Sequence, residues 1–176
     1  VGVRPKPRAS MAVANLPPRR SAMTNSPKDI VSRCFSLPTS VSPLALRAIP
    51  NLLVFRPADT VEAMECWQIA LQTKTAPSAL ALSRQKTPAV RTATSSENLS
   101  ARGAYEIKAA NGEAKVTLFG TGTELALALD AASVLEAEGT PTRVVSAPCL
   151  EWFDAQDEAY RASVLPEDSL TVSVEA

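Results

Sequence analysis

From Leu46 onward, apolar and polar positions fall into two alternating patterns, short continuous runs and wider helical spacings. The run Asn51-Leu-Leu-Val-Phe55, closed by Pro57, predicts a buried strand. Asp59 followed by Glu62 has the spacing of a capping box. Val61, Met64, Trp67 and Leu71 then recur at helical spacing, which predicts a helix over 60–72 with that stripe facing the core. After the break at Pro77, Ala79–Ser83 reads as a second strand with Arg84 at its C-terminal end, and a Ser/Thr-rich connector follows over about 86–98. A second unit begins near Ala101. Tyr105–Ala109 and Lys115–Phe119 flank Asn111-Gly112, which predicts a hairpin. Beyond the Gly120-Thr-Gly122 turn, Leu125, Leu129, Ala132 and Leu135 predict a helix over 123–138, with Gly139 just past its end. Thr142–Ser146 reads as a strand, Asp154 as the cap of a helix running through Ser163 to Pro166, and Leu170–Val174 as a final strand. The alternation predicts an α/β fold made of parts of two mostly parallel, three-layer domains, over 46–98 and 99–176. No helix follows the last strand to cover it, so this end is expected to be truncated.

Composition changes the picture mainly for the first 45 residues. Residues 1–46 hold seven basic residues against the single acid Asp29, and seven of the 14 prolines. The remainder holds 11 basic residues and 17 acids. Proline removes a backbone donor and fixes φ, so this basic Pro/Ser-rich segment is expected to be disordered. An organellar transit peptide would share its Arg- and Ser-rich, acid-poor character, but needs an amphipathic helix that the prolines oppose. A nucleic-acid-binding arm would interleave aromatic residues with the basic ones, and this segment does not. Over the whole chain 18 basic residues balance 18 acids, which gives no sign of nucleic-acid or membrane binding.

Candidate chemistry is sparse. The absence of histidine excludes His-based triads and His–metal sites. Cys34, Cys66 and Cys149 lack zinc or redox spacing, which points to free thiols in a reducing compartment. Cys149 has no basic neighbour in sequence to activate it. Gly120-Thr-Gly122 sits where a dinucleotide motif would, but Leu125 occupies the third glycine position, so a tight packing turn is the better reading. Glu124 complements the dipole of the helix that follows. Asp154 and Asp157 are read as first-turn helix partners rather than a catalytic carboxylate pair. Arg84 stands where open α/β sheets bind ligands, and a guanidinium grips phosphate through two parallel hydrogen bonds. The alternatives for it are a structural ion pair or a solvated side chain. Arg56, also at a strand end, is read as a loop residue, with a phosphate contact as the lesser alternative.

Several segments together resemble transketolases: Leu46-Arg-Ala-Ile-Pro-Asn-Leu-Leu-Val-Phe-Arg-Pro-Ala-Asp59, Ala79-Leu-Ala-Leu-Ser-Arg-Gln85, Gly120-Thr-Gly-Thr-Glu124, Arg143-Val-Val-Ser-Ala-Pro148 and Asp157-Glu-Ala-Tyr-Arg-Ala-Ser-Val-Leu-Pro166. The resemblance implies the end of a pyrimidine-binding domain over about 46–98 and the first half of a C-terminal domain beyond it. It implies an enzyme that uses thiamine diphosphate and Mg2+ to move a two-carbon ketol unit between sugar phosphates, in the pentose phosphate pathway. A cytoplasmic homodimer is implied as well. Arg84 matches the family's substrate-phosphate arginine, with Ser83 in support. The family's diphosphate domain, its metal ligands, its activating glutamate and the aromatic residue that stacks on the cofactor have no counterpart here. Where its Gly-, Asp- and His-rich active-site loop would stand, this chain has Ser36-Leu-Pro-Thr-Ser-Val-Ser-Pro43. The expectation is therefore a fragment without a complete cofactor site, inactive alone and marginally stable, whose first 45 residues derive from a wrong reading frame or a fusion. Two other readings are a non-catalytic module that docks on a full-length transketolase, and another thiamine enzyme such as deoxyxylulose-phosphate synthase or a 2-oxoacid dehydrogenase β subunit. The Ser-Arg-Gln and Asp-Glu-Ala-Tyr-Arg segments fit transketolase better.

Overall fold

The computed structural model describes residues 34–36, 42–92 and 95–175, the first three by backbone alone. Most of the segment expected to be disordered lies outside these residues. Within it, β1 (Cys34–Ser36) runs parallel to β3 (Ser78–Leu80), and α1 (Pro43–Arg47) starts with its proline in the first turn, where a missing N–H costs nothing. The strand β2 (Leu53–Phe55) pairs parallel to the other side of β3, so the first sheet has the order β1-β3-β2. The predicted strands 51–55 and 79–83 are both shorter in the structure. Asn51 turns at φ 60°, and beyond Leu80 the chain leaves the sheet for a loop.

The helix α2 (Thr60–Gln72) has its predicted bounds and its predicted cap: the Glu62 N–H donates to Asp59 Oδ1 at 3.0 Å. Glu62 reaches back to the N–H of Ala58 at 2.7 Å, one residue earlier than in a standard capping box. The buried face is not the predicted one. Glu62, Glu65, Cys66, Ile69 and Ala70 face inward, while Met64 is 69% and Leu71 47% exposed, with Val61 and Trp67 also on the outside. Both faces carry helical periodicity. The inner one is chosen because its two acids find buried donors in other elements.

The second sheet has the order β4-β6-β5-β7, from β4 (Tyr105–Lys108), β5 (Val116–Gly120), β6 (Thr142–Ser146) and β7 (Leu170–Val174). β5 pairs parallel with β6 and β7, whereas β4 is antiparallel to β6. The predicted hairpin is therefore not formed, because β6 lies between β4 and β5. The Asn111-Gly112 turn does exist, with Gly112 at φ 104°. Its asparagine is anchored instead to Glu136 on α3 (Glu124–Ala137), by a 2.6 Å side-chain bond. Turn chemistry set the bend, and the strands' need for cover on both faces set the pairing. Asp154 ends a separate short helix, α4 (Leu150–Asp154), and the helix expected from the Asp154 cap through Ser163 starts later, as α5 (Glu158–Val164). Asp157, not Asp154, caps the second piece by accepting the Tyr160 N–H at 2.8 Å, and Arg102 holds Asp157 from outside at 2.7 Å.

The two sheets share their interior. Cys149, from the second unit, is fully buried in a cluster with Phe55, Cys66, Ile69 and Leu80 of the first. Ala58 of the first unit packs in the cluster of Leu118, Leu125, Ala128 and Val144. β7 is the exception, an edge strand with Leu170 67% exposed.

Candidate functional site

The carboxyl ends of β2 and β3 point to one side of the first sheet, where open parallel sheets bind ligands. The loop after β3 carries Ser83, Arg84 and Gln85. Ser83 Oγ accepts the Gln85 N–H at 3.0 Å, a local turn that closes the loop with Arg84 at its apex. Arg84 is exposed and makes no hydrogen bond or ion pair among the described residues. Below it lies a cleft of about 430 Å³, with Asp59, Thr60 and Ala63 on one wall and Ser83, Gln85 and Lys86 on the other. Ser83 thus lines the cleft, and Arg84 stands outside its lining.

Asp59 faces this cleft but is not a free acid. Its second oxygen accepts the N–H groups of Val90 at 3.1 Å and Arg91 at 3.0 Å, so the cap of α2 also staples the segment beyond the Arg84 loop. Glu65 is likewise saturated, by Arg91 and by the N–H and hydroxyl of Ser100. Burial pushes its carboxyl up, but these donors outweigh burial and hold it below its ordinary range. Glu62 is fully buried. It accepts Tyr105 Oη at 2.7 Å and Ser146 Oγ at 2.5 Å, both from the second sheet. Here burial prevails and pushes the carboxyl up. In the sequence Glu62 reads only as the capping-box partner of Asp59, and Glu65 as an ordinary acid of an exposed helix face.

Arg56 proves to be a seam residue. It is 8% exposed and donates to Glu124 at 2.9 Å and to Glu175 at 2.7 Å, which removes the phosphate contact and the plain loop role. Glu175 is shared with Arg47 of α1. Glu124, read as a dipole partner, is therefore also half of a cross-sheet ion pair. The Gly120-Thr-Gly122 segment is the packing turn expected: a Cβ at Gly120 would lie 3.2 Å from the Leu125 Cα, and Gly122 adopts φ 61° beside the Arg56 guanidinium. Cys66 and Cys149 are buried, and burial pushes both thiols up, so they are inert. Asp157 serves as a cap, and hydrogen bonding from Tyr160 followed by the charge of Arg102 holds it below its ordinary range.

The described residues do not fit a metal–diphosphate centre. No group of three His, Cys, Asp or Glu gathers among them, and Asp59, Glu62 and Glu65 already spend their oxygens on protein donors. What the described residues offer is a guanidinium unpaired among them and a lysine on one loop, beside a cleft with hydroxyl and amide groups. Such a surface receives an oxyanion on a small polar molecule.

Two family profiles match the chain. The transketolase pyrimidine-binding domain matches residues 40–90, and the transketolase-like C-terminal domain matches residues 103–176. A transketolase of Rhodobacter capsulatus is 51% identical over 130 residues, which cover 74% of this chain and 19% of that one. The solved transketolase of Leishmania mexicana superimposes with a TM-score of 0.68 at 41% identity, over 76% of this chain and 19% of that chain. A split-gene transketolase, solved as an inactive β4 tetramer, gives a TM-score of 0.57 at 29% identity over 73% of this chain and 40% of its own. The chain thus spans about a fifth of the length of the curated relatives it matches. Two adjoining domain profiles, this level of identity and a common fold lead to one conclusion: the chain belongs to the transketolase family.

Proposed function

We propose that this chain forms the substrate-phosphate end of a transketolase, in which Arg84 grips the phosphate of a sugar phosphate while a two-carbon ketol unit is transferred. The observation that carries the reading is Arg84 itself, an exposed guanidinium without a partner among the described residues, at the apex of a loop beyond the carboxyl end of a strand in a parallel sheet. Ser83 holds the loop closed, and the Asp59 staple fixes the segment behind it. Thiamine diphosphate with Mg2+ supplies the carbanion chemistry when bound, and its ligands come from the parts of the enzyme that this chain does not span. This chain's own part is to bind and orient the phosphorylated end of the substrate. The assembled enzyme is a homodimer of the cytoplasm, working in the pentose phosphate pathway. The test is to graft residues 46–175 into the Rhodobacter capsulatus relative and measure steady-state kinetics. Arg84→Ala is expected to raise KM for sugar phosphates about 10-fold or more, with Arg84→Lys intermediate. Unchanged KM values would reject Arg84 as the phosphate ligand.

A second reading is favoured by one observation, the outward apolar stripe of α2 with Met64 69% and Leu71 47% exposed. A non-catalytic module would dock on a full-length transketolase through such a face. The split-gene relative, solved as an inactive β4 tetramer, is a precedent for a partial chain that assembles without activity. Co-purification with the full-length enzyme at micromolar concentration, lost on Met64→Gln/Leu71→Gln, is the expected result of this reading. Failure of the unaltered chain to co-purify would dismiss it.

A further inference from the structure

The two edges of the second sheet are built differently. β4 carries the charged residues Glu106 and Lys108, and its register against β6 shifts between them. Charges and an irregular register are devices that keep an edge from pairing with another chain. β7, Leu170-Thr-Val-Ser-Val174, has neither a charge nor a proline, and its register against β5 is unbroken from end to end. Its backbone has a defined outer side. The Leu170 N–H donates to the Lys115 carbonyl at 2.9 Å, so Leu170, and by alternation Val172 and Val174, turn their peptide groups towards β5. Thr171 and Ser173 turn theirs outwards, where no strand among the described residues meets them. The apolar side chains of β7 lie on the α3 face of the sheet, in line with Val116, Leu118 and Gly120. Val174 packs against the cluster there, but Leu170 is 67% and Val172 40% exposed.

We propose that β7 is a self-pairing edge: two copies of this chain join through it, antiparallel about a two-fold axis at Val172, so that their second sheets become one. The occupant follows from the strand's own pattern, which reads the same in both directions: apolar, hydroxyl, apolar, hydroxyl, apolar. With Val172 opposite itself, Thr171 of each copy stands opposite Ser173 of the other. These are the residues with outward peptide groups, so each such pair exchanges N–H···O bonds in both directions. Val172 meets its counterpart at a non-hydrogen-bonded position, where side chains approach closest, and Leu170 meets Val174. The apolar surface that Leu170 and Val172 expose is thereby covered, and no charge enters the paired strands. Just beyond them Ser169 faces Glu175, whose charge is already answered by Arg47 and Arg56. A register shifted by one residue would turn the wrong peptide groups to the edge. One shifted by two would set Asp168 against Val174, or Glu175 against Thr171. Strands this short bury less than the roughly 1,000 Å² of a stable interface, so the dimer is weak and exchanging. The proposal is independent of what Arg84 binds.

The test is analytical ultracentrifugation of the full 176-residue chain between about 10 µM and about 1 mM, where a weak dimer becomes populated. Val172→Lys sets like charges against each other at the axis and is expected to weaken the dimer about 10-fold or more. Mixing Val172→Lys with Val172→Glu is expected to restore association to within about threefold of the unaltered chain, since opposite charges then meet. Circular dichroism verifies that each variant stays folded. Crosslinking reads the register without relying on those variants. With oxidised glutathione, Val172→Cys is expected to form a covalent dimer above the level of the unaltered chain, because a non-hydrogen-bonded pair holds its Cα atoms about 4.5 Å apart. Thr171→Cys is expected to form none above that level, since the two copies of this position lie beyond the roughly 7 Å that a disulfide spans. A chain that stays monomeric over that range, an association that Val172→Lys leaves unchanged, or equal crosslinking of the two cysteine variants would overturn the proposal.

Discussion

Gly103 shows how narrowly single residues fix the packing within the second unit. It adopts φ 85°, and an added Cβ would stand 2.4 Å from the Phe153 nitrogen and 2.5 Å from the Cys149 oxygen. Both of those atoms belong to backbone, so neither can swing away. Gly103→Ala is expected to destabilise the chain by about 3 kcal/mol, measured by urea unfolding. A change below about 0.5 kcal/mol would mean that the α4 backbone relaxes freely. The seam between the two units holds Arg56, which looks like a ligand-binding arginine in sequence because it ends a strand. What distinguishes it from Arg84 is the presence of acids, Glu124 and Glu175, that lie 68 and 119 positions away in the chain and arrive only on folding. Arg84 has no such partner among the described residues, so its free state was legible as a possibility and became definite only in three dimensions.

At the scale of elements, α2 carries the sharpest contrast between pattern and structure. Its bounds and cap were legible, because capping is local chemistry between Asp59 and the N–H of Glu62. Its orientation was not, because the stripe of Val61, Met64, Trp67 and Leu71 competes with an inner face in which two glutamates are satisfied by Tyr105, Ser146, Arg91 and Ser100. Met64→Gln/Leu71→Gln is therefore expected to lower Tm by less than about 2 °C, whereas a core stripe would lose far more. Calorimetry of the double variant decides between the two orientations. The missed hairpin has a related cause. Asn111-Gly112 bends the chain as its residues dictate, but the strand that fills the gap, Thr142–Ser146, comes later and was invisible to a local reading. The shifted helix start near Asp154 turned on one residue, since Asp157 captures the Tyr160 N–H and starts the helix there. By contrast, the helix over 124–137 and the strand over 142–146 were legible almost residue for residue, because their apolar spacing and the Gly139 stop agree with their tertiary surroundings.

At the scale of the whole molecule, the described residues form two sheets locked by a shared interior and a seam of charges. The cross-sheet pairs are not a large source of stability, since buried ion pairs exchange solvation for attraction at little net gain. Their physical role is to fix how the second unit sits on the strand ends that carry the Arg84 loop. The chain spans about a fifth of the length of its relatives, and by itself it is expected to show no ketol transfer and no measurable thiamine-diphosphate affinity. Turnover by a purified preparation free of other transketolases would contradict that expectation. Leu170 and Val172 remain exposed on the β7 edge, where an apolar strand is open to pairing with another chain.

The most direct test of the central claim is the discrimination of the grafted enzyme between a phosphorylated ketol donor and one without phosphate. If Arg84 binds the substrate phosphate, Arg84→Ala lowers kcat/KM for the phosphorylated donor by about 10-fold or more and leaves the unphosphorylated donor within about twofold. An equal loss for both donors, or no loss for either, would contradict the account.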